Sequence, residues 1–166
     1  IWEVPSNSDI GRGVAEDISA DYRGAELWGS SGIGVYNVKG DRISISPPSI
    51  NFVIYWDGDV TRELLDRNYI DDMENGRIFT ADGYSSNNGS KATPNLSADI
   101  FGDWREEVIF RSNDNSSLRI FTTTDTSHIR RYTLMHDAVY RLSVAWQNVA
   151  YNQPPHVGYY MPEGSP

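Results

Sequence analysis

The stretch Asp99-Ile100-Phe101-Gly102-Asp103-Trp104-Arg105 echoes an earlier stretch of the chain, Asp17-Ile18-Ser19-Ala20-Asp21-Tyr22-Arg23. Between them lies a third unit, Trp56-Asp57-Gly58-Asp59-Val60-Thr61-Arg62-Glu63-Leu64-Leu65. The second aspartates of the three units are at positions 21, 59 and 103, which are 38 and then 44 residues apart. A repeat of this length is typical of one blade of a β-propeller, so the three units predict consecutive blades.

Short segments of alternating hydrophobicity fill the gaps between these units. They are rich in β-branched and aromatic residues and are bounded by turn-forming residues, which is typical of strands. No window of a dozen residues keeps a clean helical period, and the best candidate, residues 62–68, is only two turns long. The sequence therefore predicts an all-β fold, with Trp56, Trp104 and Trp146 in its core. The expected strands cover residues 33–38, 42–45, 52–56, 119–123 and 142–146.

Composition limits the classes of function. The 166 residues carry 23 acidic against 14 basic side chains, for a formal net charge of -9, and no cysteine. The acidic excess argues against a nucleic-acid partner, and no apolar run approaches the roughly 20 residues that cross a membrane. Without cysteine there is neither a disulfide framework nor a thiolate metal site. We therefore expect function in the long polar loops at residues 82–94 and 112–117.

The repeated units also carry carboxylates at a spacing that suits a metal. Asp59 and Glu63 are four residues apart, as are Asp103 and Glu107, and a further acid precedes each pair. Closely spaced oxygen ligands, followed by a glutamate at the start of a strand, suit Ca²⁺, which takes six to eight oxygens. The alternative is that these acids cap turns and pair with nearby arginines. The candidate calcium ligands are Asp17, Asp21, Asp57, Asp59, Glu63, Asp99, Asp103 and Glu107.

Five longer strings carry a resemblance to a known family. One is Asn87-Asn88-Gly89-Ser90-Lys91-Ala92-Thr93-Pro94, and the others cover residues 11–15, 98–109, 132–137 and 145–156. Together they resemble the C-terminal part of bacterial rhamnogalacturonan lyases of polysaccharide lyase family 11. The similarity extends over nearly all 166 residues.

The resemblance implies an eight-bladed β-propeller with bound calcium that cleaves the rhamnose-galacturonate backbone of pectin by β-elimination. Members of this family are several times longer than this chain. Residues 1–166 would then be the C-terminal portion of one catalytic propeller, about three to four blades, and the remaining blades would be its partner. We expect a secreted or periplasmic bacterial protein whose isolated segment is inactive, because an open propeller exposes strand edges.

The resemblance also implies two catalytic residues. Lys91 would remove the proton next to the uronate carboxylate, provided that it is uncharged in its working form. Arg12, between two glycines, would bind that carboxylate. From the residues alone, a solvated loop lysine is the favoured interpretation of Lys91, whereas Arg12 is equally a partner of Asp9 or Asp17.

Four further residues would contact the sugar. The resemblance assigns this role to Asn88 and Gly89, although Asn-Gly also favours a tight type I′ turn. Ser90 replaces the threonine common in the family and keeps its hydroxyl group. Tyr151 would stack on a sugar or donate to the leaving oxygen, or else be a buried aromatic residue.

A second class of function stays open at this stage. A non-catalytic, calcium-stabilised propeller segment for carbohydrate binding or adhesion would use the same acidic units for structure alone. The string from 87 to 91 separates the two possibilities, because a purely structural segment has no use for it.

Overall fold

The computed structural model describes residues 1–30, 32–44, 46–149 and 152–162. Two compact units divide the chain, Ile1–Ile50 and Asn51–Pro166. The first unit holds one antiparallel sheet of four strands in chain order, in which Val14 pairs with Trp28 and Leu27 with Tyr36. Its strands are β1 (Gly13–Glu16), β2 (Glu26–Gly29), β3 (Val35–Tyr36) and β4 (Arg42–Ser44).

The second unit holds two more antiparallel sheets. One pairs its strands in chain order and consists of β5 (Phe52–Ile54), β6 (Glu63–Asp66), β7 (Tyr69–Asp72) and β8 (Gly76–Thr80). In the other, the central strand β11 pairs with the remaining three. This sheet consists of β9 (Tyr84–Ser85), β10 (Leu96–Ala98), β11 (Glu107–Ser112) and β12 (Leu118–Phe121).

The core of the second unit lies between these two sheets. Phe52, Ile54 and Leu65 from one sheet cluster with Val108 and Phe110 from the other, and each of these side chains is fully buried. Their alternation along short strands is the period-2 pattern that the sequence displays. Truncating such a buried side chain to alanine costs about 2–5 kcal/mol, so this cluster fixes the position of both sheets.

The structure corrects one predicted strand. Residues 142–146 belong to a helix, α1 (Ala138–Trp146), which follows a short 3₁₀ helix at Leu134–His136. The side chain of Asp137 caps α1 by accepting hydrogen bonds from the N–H groups of Val139 and Tyr140, and this cap stabilises the start of the helix. Trp146 is 44% exposed, so its predicted place in the core is also wrong, whereas Trp56 and Trp104 are buried as expected.

The other assignments agree with the structure more closely. The prediction of an all-β fold is confirmed, since three four-stranded sheets account for most of the regular structure. Residues 62–68, the best helical candidate, form β6 and the turn after it. Among the described residues, no helix is long and apolar enough to cross a membrane.

Candidate functional site

A buried glutamate begins one inner strand of each sheet, namely β2, β6 and β11. Glu26, Glu63 and Glu107 are each no more than 1% exposed. In each case the Oε2 atom accepts a backbone N–H from the loop that precedes the strand, so the repeated acid closes that loop onto the sheet. The donors are Ile18, Trp56 and Ile100, at 2.9, 2.7 and 2.8 Å. Glu26 was not among the predicted ligands because it lies five residues after Asp21, where the other units have a spacing of four.

The loop before β6 gathers three carboxylates, which we call the Asp57 cluster. One oxygen each from Asp57, Glu63 and Asp72 lies within 4.8 Å of the other two. Asp72 was not predicted because it ends the next strand, nine positions after Glu63. The antiparallel pairing of β6 with β7, in which Leu64 faces Asp71, brings it close.

The hydrogen bonds among the described residues do not satisfy every carboxylate oxygen of the Asp57 cluster. Glu63 is fully buried, and its Oε1 atom has no hydrogen-bond partner in the described part of the chain. Burial raises the pKa of Glu63 well above its usual value, and the charge of Asp57 raises it further. Burial also raises the pKa of Asp57, with added repulsion from Asp59 and Asp72. Close carboxylate oxygens with a buried unsatisfied acceptor are a donor set that fits Ca²⁺.

The corresponding loop before β11 uses its carboxylates differently. Asp99 is buried, and its Oδ2 accepts hydrogen bonds from Thr133 Oγ1 and the N–H of Leu134, both at 2.7 Å. Its Oδ1 accepts from the N–H of Gly102 at 2.7 Å. Both oxygens of Glu107 also accept, one from Ile100 and Phe101 and the other from Thr122. Asp103 pairs with Arg105 at 2.5 Å, as the alternative interpretation of these acids expected.

In the first unit the predicted ligands are less closely grouped. Asp17 is half-buried and Asp21 is exposed. Burial raises the pKa of Glu26, and its Oε1 atom has no hydrogen-bond partner within the described ranges.

Asp59, in the second unit, is exposed. Its Oδ1 accepts hydrogen bonds from the N–H and hydroxyl of Thr61, so that it caps a turn beside the Asp57 cluster.

A buried polar network connects the two sheets of the second unit, and sequence reasoning missed it. Arg62 Nη2 contacts Glu106 Oε2 at 2.9 Å, with both side chains at most 1% exposed. Tyr140, on α1, donates to Glu106 Oε1 at 2.6 Å, and its hydroxyl accepts the N–H of Asp99 at 2.9 Å. Arg62 also donates to the carbonyl of Pro155. The network therefore holds both loops and the helix in one arrangement.

The loop that carries Lys91 is fixed at its base by Asn87. The N–H of Asn87 donates to Thr93, and its side-chain amide donates to the carbonyl of Pro94. Asn88, Gly89 and Ser90 are exposed, and Lys91 is half-buried. Neither Asn88 nor Gly89 has a positive φ, so this Asn-Gly pair does not form the type I′ turn that was the alternative.

This loop lines a polar groove, which we call the amide groove. Asn88 and Gly89 contribute to its wall together with residues from the turn after β6 and from the third sheet, a grouping that no sequence pattern indicates. The principal polar side chains that line it belong to Arg67, Asn68, Ser86, Asn87, Arg111 and Asn113. A concave surface rich in amides and guanidinium groups suits a hydroxylated, anionic ligand such as an acidic sugar.

The remaining predicted residues are distributed as follows. Arg12 is half-buried directly before β1, in the first compact unit, whereas Lys91 belongs to the second. Tyr151 lies outside the described residues.

A family model and two curated relatives all relate this chain to rhamnogalacturonan lyases. Residues 1–166 match the family described as rhamnogalacturonan lyase family 11, C-terminal domain. The chain is 52% identical over 170 residues to rhamnogalacturonan endolyase YesW and 47% identical over 185 residues to rhamnogalacturonan exolyase YesX, both from Bacillus subtilis. In each comparison the match takes in 99% of this chain, but only 27% of YesW and 30% of YesX.

A solved structure shows the same relationship. The rhamnogalacturonan lyase PL11 of Bacillus licheniformis superimposes with a TM-score of 0.92 at 56% identity, over 99% of this chain and 29% of that one. The chain thus spans less than a third of the length of the relatives that it matches.

Proposed function

The chain belongs to rhamnogalacturonan lyase family 11, and from that membership we propose that it forms part of an enzyme cleaving the rhamnose-galacturonate backbone of pectin. The observation that carries the proposal is 52% identity to a rhamnogalacturonan endolyase over nearly the whole chain. The amide groove around Asn88 and Gly89 supports it, because its side chains suit a sugar that carries hydroxyl and carboxylate groups.

The proposed reaction is β-elimination. A base removes the C5 proton of galacturonate, the C4–C5 double bond forms, and the C4–O bond breaks while the leaving oxygen gains a proton. The transition state needs a base at C5 and cations beside the carboxylate. Lys91, on the loop that Asn87 anchors, is the proposed base, and Arg12 is the proposed carboxylate ligand. Tyr151 is proposed to stack on the sugar or donate to the leaving oxygen.

Gly89 has a specific place in this proposal. A Cβ added at Gly89 would meet no atom within 4 Å, and its φ is not in the left-handed region. Neither packing nor backbone conformation within the described chain therefore demands glycine at this position. Close approach of a ligand to the backbone is a remaining reason for glycine. We propose that Asn88, Gly89 and Ser90 contact the sugar through amide, backbone and hydroxyl groups.

We further propose that the Asp57 cluster binds Ca²⁺. The buried Glu63 Oε1 atom, which has no hydrogen-bond partner in the described part of the chain, supports this, since a cation would satisfy it and relieve the repulsion from Asp57 and Asp59. A calcium ion bound near a uronate would supply positive charge to its carboxylate. Asp57, Glu63 and Asp72 would hold the ion, and their shared binding would fix the loop between β5 and β6.

The three sheets support a propeller. Each four-stranded antiparallel sheet has the size of one blade, and the relatives are more than three times as long as this chain. We propose that further blades complete the ring and cover apolar side chains that are exposed here, among them Leu142, Trp146 and Val149. We also propose an exported bacterial protein, because its polymeric substrate lies outside the cell.

The decisive experiment mixes rhamnogalacturonan with the longest natural polypeptide that contains this chain and follows the absorbance of the unsaturated uronate. Lys91→Ala should lower turnover by roughly 10²-fold or more and leave substrate binding intact. Arg12→Ala should weaken both. Binding without any rise in absorbance would favour a non-catalytic carbohydrate-binding segment. Near-normal turnover of Lys91→Ala would show that the base lies elsewhere.

A further inference from the structure

Two arginines in the amide groove have no role in the mechanism above. Arg67 and Arg111 line the same groove as Asn88 and Gly89. Arg111 is half-buried, and its Nη1 donates to Asn115 at 2.8 Å. Arg67 is exposed, and its guanidinium makes no hydrogen bond or ion pair within the ranges that the structure describes. The fold therefore gains no polar contact from the side chain of Arg67.

The backbone of Arg67 is unfavourable for arginine. Arg67 and Asn68 form the two-residue turn between β6 and β7, and Arg67 has a φ of 50°, in the left-handed region. A residue with a Cβ pays roughly 1–2 kcal/mol for this conformation, whereas glycine adopts it readily. A non-glycine residue held there, whose side chain makes no hydrogen bond or ion pair with the described residues, points to a function.

The position of this turn indicates which function. The N–H of Arg67 donates to the carbonyl of Ala92 at 3.2 Å, and Ala92 directly follows Lys91. The turn is thereby fixed to the loop that bears the proposed base. In a chain of net charge -9, two arginines in one groove provide the local positive potential that an acidic polymer needs.

We propose that Arg67 is a specificity-determining residue that binds the carboxylate of a galacturonate unit in the amide groove. This unit is distinct from the one that reacts at Lys91; since galacturonate alternates with rhamnose, it lies two sugars away. The planar guanidinium can donate two parallel hydrogen bonds to one carboxylate, which a neutral sugar cannot accept in the same way. The inference rests on the proposed function for the identity of the polymer.

The test separates binding from stability with Arg67→Gly. This variant removes the guanidinium and relieves the left-handed backbone, so its thermal midpoint should stay equal or rise. Its affinity for rhamnogalacturonan oligosaccharides should fall by about tenfold or more, because a charged hydrogen-bonded pair is lost. Arg130→Ala is the matched control, since it removes the same charge from an exposed arginine outside the groove and should leave the affinity unchanged.

The probe is the oligosaccharide in two forms, native and with its carboxylates chemically reduced to alcohols. Affinities are measured by calorimetry in the longest natural polypeptide, in a Lys91→Ala background so that no cleavage occurs. Arg67→Gly should weaken binding of the native form and leave binding of the reduced form unchanged. Equal affinities of Arg67→Gly and Arg130→Ala for the native form, or an equal loss for both forms, would overturn the proposal.

A parallel cleavage assay, with Lys91 retained, distinguishes the two proposals from each other. If the natural protein binds the native polymer through Arg67 but does not cleave it, the lyase function fails and the inference about Arg67 stands. If it cleaves the polymer with a KM that Arg67→Gly leaves unchanged, the inference fails and the lyase function stands. Absence of both binding and cleavage would overturn both.

Discussion

The loops before β6 and β11 share a sequence motif but use their acids for different purposes. In the Asp57 cluster, a buried oxygen of Glu63 has no hydrogen-bond partner in the described part of the chain, and three carboxylates meet within 4.8 Å. Before β11, Asp99 and Glu107 accept hydrogen bonds at every carboxylate oxygen. A spacing of acids in the sequence therefore does not by itself define a metal site. The number of unsatisfied oxygens separates the two loops.

The largest expected effect concerns the network that anchors the loop before β11. Arg62→Met should lower the free energy of unfolding by about 3–5 kcal/mol, because it leaves Glu106 as an unpaired buried charge. The methionine has a similar length, but it also removes the guanidinium that lies 4.5 Å from the centroid of the Tyr55 ring. Calorimetry of the longest natural polypeptide measures the loss, with and without chelator. Adding Glu106→Gln should restore part of it, and no recovery would show that the charge is not the cause.

Asp99→Ala should give the next largest effect. It removes an acceptor of three hydrogen bonds and leaves the N–H groups of Gly102 and Leu134 unsatisfied, at a cost of about 3 kcal/mol. The thermal midpoint should fall equally in calcium and in chelator. A loss seen only in calcium would make Asp99 a metal ligand and would remove the difference between the two loops.

Calcium itself should act through the loop before β6. At a concentration about 100 times the dissociation constant, a bound ion stabilises the fold by about 2.7 kcal/mol. Glu63→Gln should abolish this calcium-dependent rise and be at least as stable as the natural protein in chelator, since burial disfavours the charged form of Glu63. Glu107→Gln is the matched control and should lose stability equally in both conditions.

Asp137→Ala should have the smallest of these effects. It tests whether a carboxylate whose oxygens accept backbone N–H groups stabilises the fold through its charge. Burial acts to raise its pKa, but the N–H groups of Gly158, Val139 and Tyr140 outweigh burial and lower it. Its stabilisation is therefore fully present above the pKa of the unfolded chain and is lost as the pH falls through the lower folded value. Asp137→Ala should cost about 1 kcal/mol at pH 7, and the difference in stability between the two proteins should narrow as the pH falls through the lowered pKa of Asp137. A gap independent of pH would contradict the charged cap.

Sequence patterns predicted the strands better than they predicted the site. The all-β class, and four of the five expected strands, follow from alternation and turn residues, which are local properties. Helix α1 was mistaken for a strand in part because Val144 and Trp146 are typical of strands, although the capping Asp137 was visible in the sequence. The cluster partner Asp72 and the network partner Glu106 could not be predicted, since pairing between distant segments places them.

The carboxylate of Glu106 has a consequence for how this part of the molecule opens. One side chain holds the N–H of Tyr55 at the end of β5, Arg62 from the next loop and Tyr140 from α1. None of these three elements can separate without leaving a buried charge or donor behind. In hydrogen exchange, the amides of β5, β11 and α1 should therefore open together as one cooperative unit, with a shared opening free energy.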